Sequence, residues 1–196
     1  MPVQASCVSR RHDADTLAVA LGANLGDPAA TLVAVRPLLL GLLQPLAAPE
    51  SPCRWSPLFR TQPVGGPPDQ PDYLNAVVLL ERLRPDPDPR ALLASLQQLE
   101  LRFGRERRER WGPRLLDLDL LWCADLVCRQ EELELPHPRL AERAFVLAPL
   151  AAIDAALRPP LPDQPPLSCG QRLADLLAAG AETPPMRLSP RSGWPE

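Results

Sequence analysis

Lysine is absent from this chain of 196 residues, so its whole positive charge is arginine. A P-loop needs its lysine on the phosphates and Schiff-base catalysis needs a lysine amine, so both classes are excluded. Aromatics are scarce as well: one tyrosine, three phenylalanines and four tryptophans. An RNA-binding sheet stacks bases on exposed rings, and this supply argues against one. The five cysteines (Cys7, Cys53, Cys123, Cys128, Cys169) form no CxxC pair, and His12 and His137 are the only histidines. That set does not build a Cys/His zinc site; scattered thiols in a reducing cytosol are the simpler reading. The net charge of −3 gives no broad attraction to nucleic acid or membrane, so affinity for phosphates has to come from local clusters. No apolar run follows the basic Arg10-Arg11-His12, and none is expected to reach the about 20 residues of a membrane span. The expectation is a cytoplasmic protein.

Apolar residues make up 45% of the chain, enough to bury the core of one domain. Residues 1–15 read as an irregular leader, 16–157 as the domain, and 158–196 as a proline-rich extension. One short helix is expected near Gln171 to Ala178, followed by a disordered end. Leu17 to Leu21 is a short apolar run, read as a buried strand. It ends in the turn Gly22-Ala23-Asn24-Leu25-Gly26, and Asp27-Pro28 then caps a helix reaching about Leu43. Trp55 to Thr61 reads as a second strand, 62–72 as a loop of prolines and glycines, and Tyr73 to Leu83 as a third strand. Pro89 to Phe103 is an amphipathic helix with Leu92, Leu96, Leu99 and Phe103 on one stripe. A fourth strand covers Leu115 to Trp122, a ribbon continues through Leu133 to Leu135, and short helices follow His137-Pro138. This β-α-β-β-α-β order is that of a ferredoxin-like α+β sandwich, an antiparallel sheet covered by helices on one face.

The chemistry concentrates in two segments. Asp117 and Asp119 stand two apart on a predicted strand, so their carboxylates share a face, with Cα atoms about 6–7 Å apart. Such a pair can share two metal ions about 3.5–4 Å apart, and hard carboxylate oxygens suit magnesium. Alone, the pair reads better as the solvent face of an ordinary half-exposed strand. Five arginines (Arg105, Arg107, Arg108, Arg110, Arg114) precede it within ten residues, however, and guanidinium forks match phosphate oxygens. A solvated charge run, tempered by Glu106 and Glu109, is the alternative. The second segment runs from Val64-Gly65-Gly66 through Pro71 to Tyr73 and Asn75. Its glycines let backbone amides approach a ligand, and Tyr73 and Asn75 face one way, an aromatic and an amide suited to a flat heterocycle. Tyr73 could also be a sheet-edge aromatic. His137, with Arg143 and Phe145 close behind, is open between a structural and a functional role. The turn 22–27 lacks a dinucleotide fingerprint and reads as a capped strand-to-helix connection.

Taken together, LGANLGD, FRTQPVGGPPDQPDYLNAVV, ELRFGRERRERWGPRLLDLDLL and LPHPRLAERAFVLAPL resemble the folate-pathway pyrophosphokinases that act on 6-hydroxymethyl-7,8-dihydropterin, over about Leu17 to Leu157. The resemblance implies a monomeric enzyme of small-molecule substrates, without nucleic acid or membrane, that moves pyrophosphate from ATP to the pterin alcohol and releases AMP. It implies that Asp117 and Asp119 hold two Mg2+ ions, that Tyr73 and Phe145 sandwich the pterin, and that Asn75 with the backbone of Val64 and Gly65 reads its edge. Arg105, Arg107 and Arg114 would serve the phosphates and catalysis, Trp111 would cap the closed site, and His137 and Arg143 would meet phosphates and ribose. Glu100 and Leu120 would lie by the adenosine. Loops 22–27, 63–71 and 105–114 would close over the substrates. The chain departs from the family's usual pattern in carrying Ala23 in the opening turn, a pterin loop one residue longer, an arginine loop without lysine (Arg108 standing nearest), and Glu134 where a threonine is common.

Overall fold

The computed structural model describes residues 15–104, 112–180 and 182–195. The chain runs β1 (Leu17–Ala23), α1 (Pro28–Leu43), β2 (Cys53–Trp55), β3 (Phe59–Thr61), β4 (Tyr73–Leu80), α2 (Pro89–Arg102), β5 (Asp117–Cys123), β6 (Cys128–Gln130), β7 (Leu133–Leu135), α3 (Ala144–Ile153), α4 (Cys169–Ala178) and β8 (Met186–Arg187). The main sheet is antiparallel at every pairing, in the order β5-β1-β4-β3-β8 with β2 also on β4, and β6 and β7 form a separate ribbon. This is an α+β architecture with four α-helices among the described residues.

The central strand β1 shows how the layers arise. Its sequence Leu-Ala-Val-Ala-Leu-Gly-Ala alternates large and small residues, and a strand sends alternate side chains to opposite faces. Leu17, Val19 and Leu21 pack with Leu32, Val35, Leu39 and Leu43 of α1 and Leu92, Leu96 and Leu99 of α2. Both helices start on an aspartate followed by proline. Asp27 Oδ1 accepts from Ala30 N at 3.0 Å, and Asp88 Oδ1 from Arg90 N and Ala91 N at 3.0 and 3.1 Å, satisfying N–H groups that have no partner within the helix.

The expectation that helices cover one face alone is corrected. On the other face Ala18, Val77, Leu79, Leu121 and Trp122 form a second core with Val146, Leu147, Leu150 and Ile153 of α3 and Cys169 at the start of α4. The cause is visible in β4, buried on both sides at Ala76 through Leu80. A strand apolar on both faces needs two partners.

The single strand expected over Trp55 to Thr61 is two. Pro57 has no N–H to give a ladder, and Ser56 substitutes: its N donates to Val77 O and its Oγ accepts from Val77 N, each at 2.9 Å. The register then slips by one, from Trp55 opposite Val78 to Phe59 opposite Asn75. The sequence expectation of no membrane-length apolar segment is also amended. Pro28–Leu46 forms 19 helical residues long and apolar enough for a span by length and composition, and Leu32, Val35, Leu39 and Leu43 of that helix are fully buried on the sheet.

Nor is the end of the chain disordered within the described residues. After α4, which a Ser168–Gln171 capping box opens, β8 pairs with β3 and Leu188 N donates to Leu58 O at 2.8 Å. Trp194 is 6% exposed, its ring edge-on to Trp55 at 5.5 Å, and its Nε1–H donates to Ser56 O at 2.8 Å. The Arg36 guanidinium lies 5.4 Å from the Trp55 ring, adding a cation–π contact to this aromatic pair. Trp194→Ala should therefore destabilise the protein by about 3–5 kcal/mol, read as a lower urea midpoint at unchanged slope; a loss below about 1 kcal/mol would mean that the tail is not part of the core.

Candidate functional site

The cavity lies beside α3 on the second face of the sheet. The helix lies over Ala18, Val77, Leu79 and Leu121, and beyond its first turn the floor opens at Ala20, Gly22, Tyr73, Asn75, Asp117 and Asp119. The cavity measures about 340 Å³, and its walls come from Thr61 to Gly65, Arg114, His137, Arg139, Arg143 and Phe145. That volume suits a small ligand. The small residues of β1 give it depth. A Cβ at Gly22 would stand 2.8 Å from Asn75 Oδ1, so the floor admits no larger side chain without displacing the amide.

Alternation along β5 sends Leu118 and Leu120 into the core under α1 and α2, and leaves Asp117 and Asp119 on the cavity side. Asp117 accepts from the Arg114 guanidinium, and Asp119 Oδ2 from Arg143 Nη1 at 3.3 Å. His137 Nε2 is 3.9 Å from the same Oδ2. Burial lowers the Arg114 pKa, but the Asp117 and Asp119 carboxylates outweigh it and hold the guanidinium above its usual range. His137 goes the other way. Burial, with Arg143 second, depresses its pKa to about 4, so the imidazole is neutral at pH 7. Its Nδ1 accepts from Arg139 N at 3.2 Å, which leaves the proton on Nε2, aimed towards Asp119.

Two carboxylates and no third His, Cys, Asp or Glu ligand come together among the described residues. This donor set fits magnesium, which takes one or two carboxylates and completes its shell with water and phosphate oxygens. It does not fit a structural zinc.

Groups suited to a heterocycle occupy the β4 side of the floor. Asn75 is buried, and its Nδ2 donates to Thr61 Oγ1 at 2.7 Å. The Tyr73 hydroxyl donates to Gly112 O at 3.2 Å, and burial raises its pKa. Val64 and Gly65 bring the loop backbone to the rim, with Gly65 at φ 78°, a conformation natural to glycine. Phe145 stands across from them, with the Arg143 guanidinium 5.3 Å from its ring.

The structure thus brings together Val64, Gly65, Tyr73, Asn75, Arg114, Asp117, Asp119, His137, Arg143 and Phe145. It does not bring Glu100 or Leu120 into this cavity. Glu100 is 1% exposed and its Oε1 accepts from Leu118 N at 2.8 Å, pinning α2 to β5, while Leu120 packs beneath the sheet. Arg105, Arg107, Arg108, Arg110 and Trp111 lie outside the described residues.

Sequence reasoning missed Asn24, treated as part of a capped turn. It is 2% exposed and joins three loops: Nδ2 donates to Pro71 O at 3.1 Å, Oδ1 accepts from Arg114 N at 2.7 Å, and its own N donates to Arg114 O at 3.0 Å. An amide can donate and accept at once, which is what this junction uses; an asparagine inside a glycine-bounded turn was the available signal. Arg139, also on the wall, was missed too.

The family model described as 7,8-dihydro-6-hydroxymethylpterin-pyrophosphokinase (HPPK) matches residues 18–155. A 2-amino-4-hydroxy-6-hydroxymethyldihydropteridine pyrophosphokinase of Pseudomonas aeruginosa is 41% identical over 162 residues, 82% of this chain and 89% of the relative. The enzyme of that name from Bacillus subtilis is 41% identical over 135 residues, 69% of this chain and 75% of its own. Among solved structures, a Plasmodium falciparum HPPK-DHPS with pterin and p-hydrobenzoate superposes with a TM-score of 0.57 at 12% identity, over 84% of this chain. That likeness speaks to the fold alone, and this chain spans 45% of that protein's length. With its matched segment running from the first strand to the end of α3, the chain belongs to the 7,8-dihydro-6-hydroxymethylpterin-pyrophosphokinase family.

Proposed function

We propose that the cavity over β1, β4 and β5 is where this chain transfers pyrophosphate from ATP to 6-hydroxymethyl-7,8-dihydropterin, the reaction of its family, giving AMP and the pterin diphosphate of folate biosynthesis. One observation carries the reading: two carboxylates on one strand face open into the same cavity as a tyrosine, a buried amide and a phenylalanine. Metal-nucleotide and flat-ring chemistry meet there within one ligand's length. The frame beneath is read as a ferredoxin-like βαββαβ sandwich with an added strand and a second helical layer.

Tyr73 and Phe145 flank the pterin ring, while Asn75 and the backbone at Val64 and Gly65 pair with its edge. Asp117 and Asp119 hold two Mg2+ ions, which when bound neutralise triphosphate charge. Three arginines (Arg114, Arg139, Arg143) and two aspartates line the cavity among the described residues, and divalent cations would offset part of the charge that ATP brings. Arg114 and Arg143 pair with the aspartates and would give up those partners for phosphate oxygens on nucleotide binding. Neutral His137 offers Nε2–H to an oxygen in the same corner. By the family resemblance Arg105 and Arg107 serve the phosphates and Trp111 the closed site, while Glu100 and Leu120, buried beneath β5, take no part in this cavity. Catalysis of this kind rests on positioning and charge rather than on a covalent intermediate.

With magnesium, ATP and the pterin alcohol, the protein should yield AMP one-for-one with pterin diphosphate, and EDTA should stop it; ADP as the product would overturn the reading. Asp117→Ala and Asp119→Ala should each lower kcat by about 10³-fold or more with an unchanged far-UV spectrum, and near-normal turnover in both would remove the centre of the mechanism. Tyr73→Ala should weaken pterin binding by about tenfold, from lost stacking and burial, with ATP affinity little altered; equal pterin affinity by titration calorimetry would exclude stacking there.

A further inference from the structure

The walls of the cavity are held in part from outside the segment matched by the family model. Helix α3 begins badly by its own sequence. Its N-cap is Arg143, which makes no side-chain cap, and its first turn carries no acidic residue. Its first N–H groups therefore need partners from elsewhere. Glu182, 38 residues on, supplies one: its Oε2 accepts from Ala144 N at 2.8 Å. A carboxylate at a helix N-terminus also meets the positive end of the helix dipole. The residues on either side of that N–H are Arg143, which pairs with Asp119, and Phe145, which lines the cavity.

The next residue reaches the opposite wall. Thr183 Oγ1 donates to Gln62 Oε1 at 3.2 Å, and Gln62 opens the loop that carries Val64 and Gly65. Glu182 and Thr183 thus bridge the two walls. They also line a second, smaller hollow of about 210 Å³ that shares Thr61 to Val64 and Phe145 with the main cavity. The bridge is anchored downstream by Met186 and Arg187 pairing with β3 and by Trp194 in the core. The matched segment ends at residue 155, so these anchors belong to the proline-rich extension.

We infer that Glu182 and Thr183 are positioning residues for the ring-binding site: they fix the separation of the Phe145 wall from the 62–65 wall and so set affinity for the heterocycle. The inference rests on the cavity being the pterin site. It assigns the extension a role in substrate binding and not only in stability. Neither residue touches substrate, so turnover at saturation depends on them little.

The test uses the full chain, with 6-hydroxymethylpterin titrated in the presence of magnesium and a non-hydrolysable ATP analogue, alongside steady-state kinetics. Glu182→Ala should raise the pterin Kd and KM about fivefold, the order of one lost helix cap, with kcat within about twofold of the parent. Glu182→Gln, whose amide oxygen still accepts from Ala144 N, should recover most of that loss. Thr183→Val, similar in shape, should weaken pterin binding in the same direction and keeps the test open if Glu182→Ala does not fold. Phe145→Ala is the comparator. Weakening in Phe145→Ala together with Glu182→Ala or Thr183→Val supports the inference. Weakening in Phe145→Ala alone overturns it and leaves the pterin site standing. Unchanged affinity in all three overturns both.

Discussion

Everything at the site depends on the packing of α3 against the second face of the sheet. Val146, Leu147, Leu150 and Ile153 bury against Ala18, Val77, Leu79, Leu121 and Trp122, each large aliphatic contributing roughly 1.5–3 kcal/mol. This contact does two jobs at once. It completes the core of strands that are apolar on both sides, and by stopping at Arg143 it leaves the rest of the face as an open floor. A longer helix would fill the cavity; a shorter one would remove Arg143 and Phe145 from its wall. Where the helix begins is thus a functional boundary as well as a structural one, which gives weight to the distant carboxylate of Glu182 at that end.

The electrostatics of the cavity follow from the same enclosure. Two carboxylates side by side on a strand repel each other, and partial burial makes that worse. Arg114 and Arg143 answer one carboxylate each. These pairs are partly exposed, and such bridges stabilise a fold by about 1 kcal/mol or less, so they are easily exchanged. His137 adds no charge to this balance, because burial and Arg143 keep its imidazole neutral at pH 7.

Much of this was legible from the residues. Alternation alone put Asp117 and Asp119 on one face and Tyr73 with Asn75 on one face, because a strand has a two-residue period whatever surrounds it. The cap at Asp27 was local too. What escaped depends on contacts distant in sequence. In the proline-rich extension the helix near Gln171 to Ala178 was legible, but the end after it was read as disordered, and one strand pair and one buried tryptophan anchor that end. The second helical layer escaped because α3 is apolar all round, with Ala148 and Pro149 buried as well as its leucines, and periodicity assigns such a helix to no particular face. Pro57 could have predicted the break between β2 and β3; what it could not show was that Ser56 restores the lost pairing with its side chain.

Asn24 shows why some functional positions resist sequence reasoning. Its neighbours are a turn and a helix cap, and both are satisfied without it. Its partners, Pro71 and Arg114, sit 47 and 90 residues away. Yet these contacts bring the first turn, the heterocycle loop and the end of the arginine loop to one buried amide. Each loop alone would gain conformational freedom by letting go, and one side chain bonded to both others raises the cost of any single departure. Asn24 thus ties the first turn, Pro71 and Arg114 together at a single buried amide.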